Sequence, residues 1–126
     1  MSPFGWRRLW QCAAGILGAA GVASAAASAH GLAESATHNV DLASRFLLID
    51  ALALLAVGAL TRGHERWLRL AGGLFALGSI CFCGGLVLAA LVAHGFAPII
   101  PIGGTALILG WTVLAVSALA DPPPLT

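Results

Sequence analysis

Lysine and tyrosine are absent from this chain of 126 residues, and methionine occurs once. Charge of either sign is scarce. Asp, Glu, Lys and Arg make up 9% of the sequence, where soluble domains average roughly 25%. So few charges cannot cover a water-facing surface, which excludes an ordinary soluble domain. A formal net charge of +1 gives no footprint for a polyanion, so no nucleic-acid partner is expected. Three cysteines, Cys12, Cys81 and Cys83, lie in or beside apolar runs. An odd set so placed makes no disulfide framework and reads as small buried hydrophobes. Cys81 and Cys83 would point about 200° apart on a helix, so they cannot share one ion. The chain carries no nucleophile elbow, phosphate loop, zinc-protease motif or haem-attachment pair. No enzyme, no cofactor and no metal centre is expected.

What is abundant is apolar sequence, 60% of the residues. Crossing a hydrocarbon core takes about 20 mostly apolar residues in a helix. Residues 9–29, 70–93 and 99–120 satisfy this without a charge, and residues 44–61 do so with Arg45 and Asp50 inside. No stretch alternates polar and apolar residues as a barrel strand does. The predicted fold is therefore an all-α membrane protein, one domain over 1–126 built as a four-transmembrane-helix bundle in a lipid bilayer. The connections are a polar linker at 30–43, a charged turn around residues 62–66 and a Gly- and Pro-punctuated turn at 94–98. Residues 121–126 form a Pro-rich tail, expected to be disordered, that cannot continue a helix.

Four crossings put Arg7, Arg8, Arg62, Arg66 and Arg69 on one side and Arg45 alone on the other. The positive-inside rule then places both termini in the cytoplasm, with Trp6, Trp10 and Trp67 at that interface. Arg7-Arg8, an apolar run and Ala27-Ser28-Ala29 also resemble a secretory signal. The run exceeds the usual length and ends without a clear cleavage region, which favours an uncleaved first helix.

Lipid tails are as apolar as leucine, so membrane helices associate through small residues that let backbones approach. Gly15, Ala19, Ala23 and Ala27 recur every four residues on the first helix. This row makes the first helix the expected centre of the bundle, so that Gly15→Leu or Ala19→Leu should harm folding more than Leu109→Ala. On the fourth helix Gly103, Gly104 and Gly110 are the expected packing positions.

Asp50 is the most informative polar residue. The 44–61 boundary puts it six residues into the second helix, roughly 9 Å along the axis. A carboxylate at that depth faces the bundle interior and needs a partner, or must hold its proton. Asp41 and Arg45, four apart, form a helical pair; Arg45 is a poor match for Asp50, leaving His30 as the candidate partner. The same side gathers Glu34, His38, Asp41, Arg45 and His94, read as a solvated polar cap. No two of its histidines have the spacing of a preformed metal site.

Four blocks carry a family resemblance. Ser28-Ala29-His30-Gly31-Leu32 resembles the Gly-Ala-His-Gly-Leu segment of domain-of-unknown-function family 423. Ala51 to Leu55 resembles the run after that family's Tyr-Gln-x-x-His signature, Leu77 to Leu86 its Leu-Gly…Phe-Ser-Gly-Ser-Leu-Tyr block, and Pro101-Ile102-Gly103-Gly104 with Gly110-Trp111 its Thr-Pro-x-Gly-Gly…Gly-Trp block. Phe46, Leu47 and Asp50 stand where the family has Tyr, Gln and His, and Cys83-Gly84-Gly85-Leu86-Val87 where it has Ser-Gly-Ser-Leu-Tyr. The family's members are small bacterial inner-membrane proteins, similar to the animal transmembrane protein 256. The resemblance implies a four-helix fold in the plasma membrane and no activity. The leading expectation is a non-enzymatic scaffold or accessory subunit, with other membrane subunits or a second copy as partners. The alternatives are a small proton-coupled transporter or a lipid- or quinone-binding protein that uses Asp50.

Overall fold

A computed structural model describes residues 2–60, 64–92 and 98–120. Four helices follow one another: α1 (Pro3–His30), α2 (Glu34–Ala59), α3 (Glu65–Leu91) and α4 (Ile99–Leu119). Each is long and apolar enough to cross a membrane. His94 and the 121–126 tail lie outside the described residues, as do residues 61–63.

Hydrocarbon offers no hydrogen bonds, so a spanning backbone must satisfy itself, which a helix does. Hydroxyls follow the same rule. Ser28, Ser44, Thr105, Thr112 and Ser117 each donate to a carbonyl three or four residues earlier, at 2.7–2.9 Å. Pro101, third in α4, costs no ladder bond, because the first N–H groups of a helix have no internal acceptor. Ser2 caps α1 by accepting from the Gly5 amide at 3.2 Å.

Three expected starts move. The third helix begins at Glu65 rather than 70, so that Glu65 and Arg66 of the expected turn are helical. The first helix starts at Pro3 rather than 9, and the second at Glu34 rather than 44, so most of the 30–43 linker is helix. Only Gly31–Ala33 turns the chain between α1 and α2. The polar residues of that segment extend α2 beyond its apolar stretch, with Arg45 paired to Asp41 at 2.9 Å.

The helices pack in chain order, each antiparallel to the last. Gly21 lies against Leu48, Gly18 against Ala51, and Gly58 against Arg7 and Gln11, so α1 runs opposite to α2. Gly85 meets Ile99 and Ile100, Gly78 meets Leu107, and Gly110 meets Phe75, which orders α3 and α4 in the same way. Helices α1 and α3 touch only slightly. Among the described residues α2 and α4 nowhere bring Cα atoms within 8 Å. The core runs through Trp6 and Ala14, then Leu54 and Val57, Leu68 and Phe75, and ends at Leu107.

The centre of the bundle is α2, not α1. In their apolar stretches 50% of α2 is buried but only 11% of α1. The row Gly15, Ala19, Ala23 and Ala27 faces outward, and a Cβ on Gly15 would meet nothing within 4 Å. The buried side of α1 is instead the one that carries Trp6, Ala14 and Gly21. Small residues occupy both faces of this helix, so their spacing could not say which face turns inward. Gly15→Leu and Ala19→Leu therefore place their side chains outside the bundle and not in its core.

On α4 Gly103 and Gly110 are buried against α3, whereas Gly104, also expected at a packing position, is only partly buried. Gly103 sits on the α3 backbone, where an added Cβ would collide with the Phe82 nitrogen and lie 2.8 Å from Phe82 Cα. No side-chain rotation relieves such a contact. Gly103→Ala is expected to cost about 1–3 kcal/mol through overpacking, whereas Gly15→Ala should stay within about 1 kcal/mol of the parent. Unfolding in mixed micelles checks the order, and equal stability of the two variants would contradict the α3–α4 contact.

Candidate functional site

The deepest polar feature lies where α2, α3 and α4 face one another. Asp50 is 1% exposed and Ser79 is fully buried. Ser79 Oγ donates to Asp50 Oδ2 at 2.7 Å. The partner of Asp50 is thus Ser79 on α3, not His30 on α1. With Gly18 opposite Ala51, His30 lies twelve residues further along α1, about 18 Å up the axis, and it is exposed. The early boundary of α2 also corrects the depth of Asp50. It is the seventeenth residue of that helix, about 24 Å from its start.

Asp50 Oδ1 is buried and has no hydrogen-bond partner among the described residues. One turn away Phe46 meets Phe82 edge to face, with centroids 4.9 Å apart and planes at 68°. Leu47 and Cys83 share a second buried cluster with Ala43 and Leu86. Residues 46–50 of α2 therefore pack against residues 79–86 of α3 in one interface.

Because α2 and α4 stay apart, a cavity of about 230 Å³ remains between them. It is lined by Phe46, Ile49 and Asp50 from α2, Phe82 from α3, and Gly104, Leu107, Ile108 and Trp111 from α4. All but Asp50 present apolar or aromatic surface. Trp111 is held in place by Phe75, edge to face with centroids at 4.9 Å. A Cβ on Gly104 would reach the Phe82 ring at 3.5 Å, an ordinary contact, so this glycine keeps the cavity open rather than the backbones close.

The polar cap is more dispersed. Glu34, His38 and Arg45 are exposed and Asp41 is partly so, its carboxylate engaged by Arg45. Glu34, His38 and Asp41 border an open depression with Ser28 and Thr37. Among the described residues no three His, Cys, Asp or Glu side chains gather as a metal site would need. Cys83 is buried and Cys81 only half-buried, and all three cysteines are free.

The opposite end holds a cluster of two of the Trp residues expected at the membrane interface, and it is buried rather than superficial. Trp6 is 2% exposed, with the guanidinium of Arg7 5.3 Å and that of Arg69 5.7 Å from its ring centroid. Trp10 fills the notch at Gly72, where an added Cβ would come within 2.5 Å of its indole. This cluster ties the start of α1 to the start of α3.

Four membrane-capable helices around one buried carboxylate define a small polytopic membrane protein. Residues 24–104 match the family described as Protein of unknown function (DUF423), and the chain belongs to that family. No solved structure matches its fold.

The hydrogen bond at the centre predicts its own mutational signature. Ser79→Ala removes the donor from a buried carboxylate and is expected to destabilise by about 1–3 kcal/mol. Replacing both partners, as Asp50→Leu with Ser79→Ala, should cost less than Ser79→Ala alone, because no polar atom is then stranded. Unfolding of the three proteins in one detergent mixture measures this. A double variant weaker than the single one would show that the pair is not the unit described.

Proposed function

We propose that this chain is a non-enzymatic membrane protein that serves as a scaffold or accessory subunit in a larger membrane assembly. The observation that carries the reading is the outward face of α1. Gly15, Ala19, Ala23 and Ala27 form a smooth row that the described residues leave uncovered. Small residues spaced by four are what a transmembrane helix presents to a close neighbour. The neighbour we favour is a helix of another protein. The family resemblance supports a location in the bacterial inner membrane, and the arginine distribution supports both termini in the cytoplasm.

A proton-coupled carrier finds less support. Among the described residues the buried polar side chains are Ser44, Asp50, Ser79 and Ser117. Ser44 and Ser117 are bonded to carbonyls of their own helices. That leaves Asp50 and Ser79 as a pair that no other buried serine or carboxylate among the described residues extends toward either surface. A second reading, binding of a lipid or quinone-like molecule at Asp50, is favoured by the apolar cavity beside it.

Purification from native membranes in mild detergent tests the assembly. The expected outcome is a stoichiometric partner or a defined oligomer with the parent chain. Ala19→Leu should lose that association while keeping its melting temperature in detergent. A parent chain that is only monomeric, or an Ala19→Leu chain that stays associated, contradicts the reading.

A further inference from the structure

Two features of the cavity between α2 and α4 belong together. One is an apolar space of about 230 Å³ with aromatic rings on several sides, Phe46, Phe82 and Trp111. The other is Asp50 at its border, 1% exposed, with Oδ2 engaged by Ser79 and Oδ1 buried without a partner. A buried acceptor left unmatched is costly, of the order of 1–3 kcal/mol, and is seldom tolerated without cause. A dry cavity of about 150 Å³ is enough to hold benzene, so this one has room for a substituted ring. Its borders Ile49 and Ile108 are 48% and 68% exposed, on the side that faces lipid. An apolar tail would leave the cavity there and lie among the acyl chains.

The geometry points to a binding site for the hydroxylated aromatic head of a membrane-soluble phenol or quinol, whose hydroxyl donates to Asp50 while its ring lies between Phe46, Phe82 and Trp111. Selection of such a molecule has a simple basis. The rings accept a flat apolar body through edge and offset contacts. The carboxylate discriminates for a donor, because a head without one leaves Oδ1 unmatched. Ser79 is a positioning residue. Its bond occupies Oδ2, so Oδ1 is the oxygen that a hydroxyl entering beside Asp50 would engage. Gly104 provides the room, since a side chain there would stand against Phe82 without any backbone clash. This inference deepens the lipid- or quinone-binding reading and is independent of association through α1.

The experiment compares two probes of equal shape, 4-hexylphenol and 4-hexyltoluene, in which a methyl group stands for the hydroxyl. Each is dialysed to equilibrium against the full chain in lipid nanodiscs, with empty nanodiscs as the partition blank. The parent chain should bind the phenol saturably, near one per chain and about tenfold tighter than the toluene, the equivalent of one hydrogen bond. Asp50→Leu with Ser79→Ala should abolish that preference, and Gly104→Ala should weaken both probes several-fold. Helical content and melting temperature of each variant confirm that it is folded. Equal binding of the two probes, still weakened by Gly104→Ala, overturns donor recognition but leaves an apolar lipid site standing. A preference that survives the double variant also overturns the role of Asp50. Absence of saturable binding, or binding indifferent to Gly104→Ala, removes the site and the lipid-binding reading together.

Discussion

Gly103 against the Phe82 backbone is the contact on which the packing of this bundle turns. In water, apolar surface drives helices together almost regardless of fit. Inside a bilayer that drive is gone, and helices are held by how closely their atoms approach. Gly103 and Gly110 on α4, with Gly78 and Gly85 on α3, let two backbones close to contact along most of their length. Larger side chains then interlock around that seam, with Leu107 over Gly78 and Phe75 under Gly110. Among the described residues the position of α4 is thereby set chiefly by α3.

The gap at Asp50 follows from that arrangement. Helix α2 reaches α3 through Phe46, Asp50 and the Leu47–Cys83 cluster. It meets α1 through Gly58, Ala51 and Leu48. With two faces committed, α2 has none left for α4, and the aromatic residues bordering the space are too bulky to let the helices close it. A buried carboxylate beside a lipid-accessible void is thus a product of the order in which the helices pack.

Much of the architecture could be read from residue chemistry alone, and the failures have identifiable causes. The bounds of α4 and the end of α3 agree with the sequence to within two residues, because an uncharged run longer than the hydrocarbon core admits one reading. The start of α3 lies five residues earlier, in charged sequence that the same rule passes over. The start of α2 was misplaced because the rule that finds membrane spans counts apolar residues, and residues 34–43 are polar though helical. The Asp41–Arg45 spacing was the signal that the helix had already begun. The need of Asp50 for a partner on another helix followed from the cost of a bare carboxylate in hydrocarbon. Its identity did not, because Ser79 is 29 positions away and the match depends on how α2 and α3 slide past each other. The small-residue row on α1 was found but turned the wrong way, since glycine and alanine on both faces leave no asymmetry to read. The aromatic cavity was invisible, because Phe46, Phe82 and Trp111 sit on three helices whose separation no spacing encodes.

The neighbour-to-neighbour order of the helices bears on how the chain is made. Of the helices that precede it in the chain, each of α2, α3 and α4 packs chiefly on the one synthesised just before it, and among the described residues the Trp6 and Trp10 cluster bridges a skipped position. A polypeptide leaving the translocon in this sequence always has its docking surface already in the bilayer. Local contacts of this kind form with little loss of loop entropy. The hairpin of α1 and α2 can therefore settle before α3 is translated, and assembly proceeds in one direction without rearrangement of what is already folded.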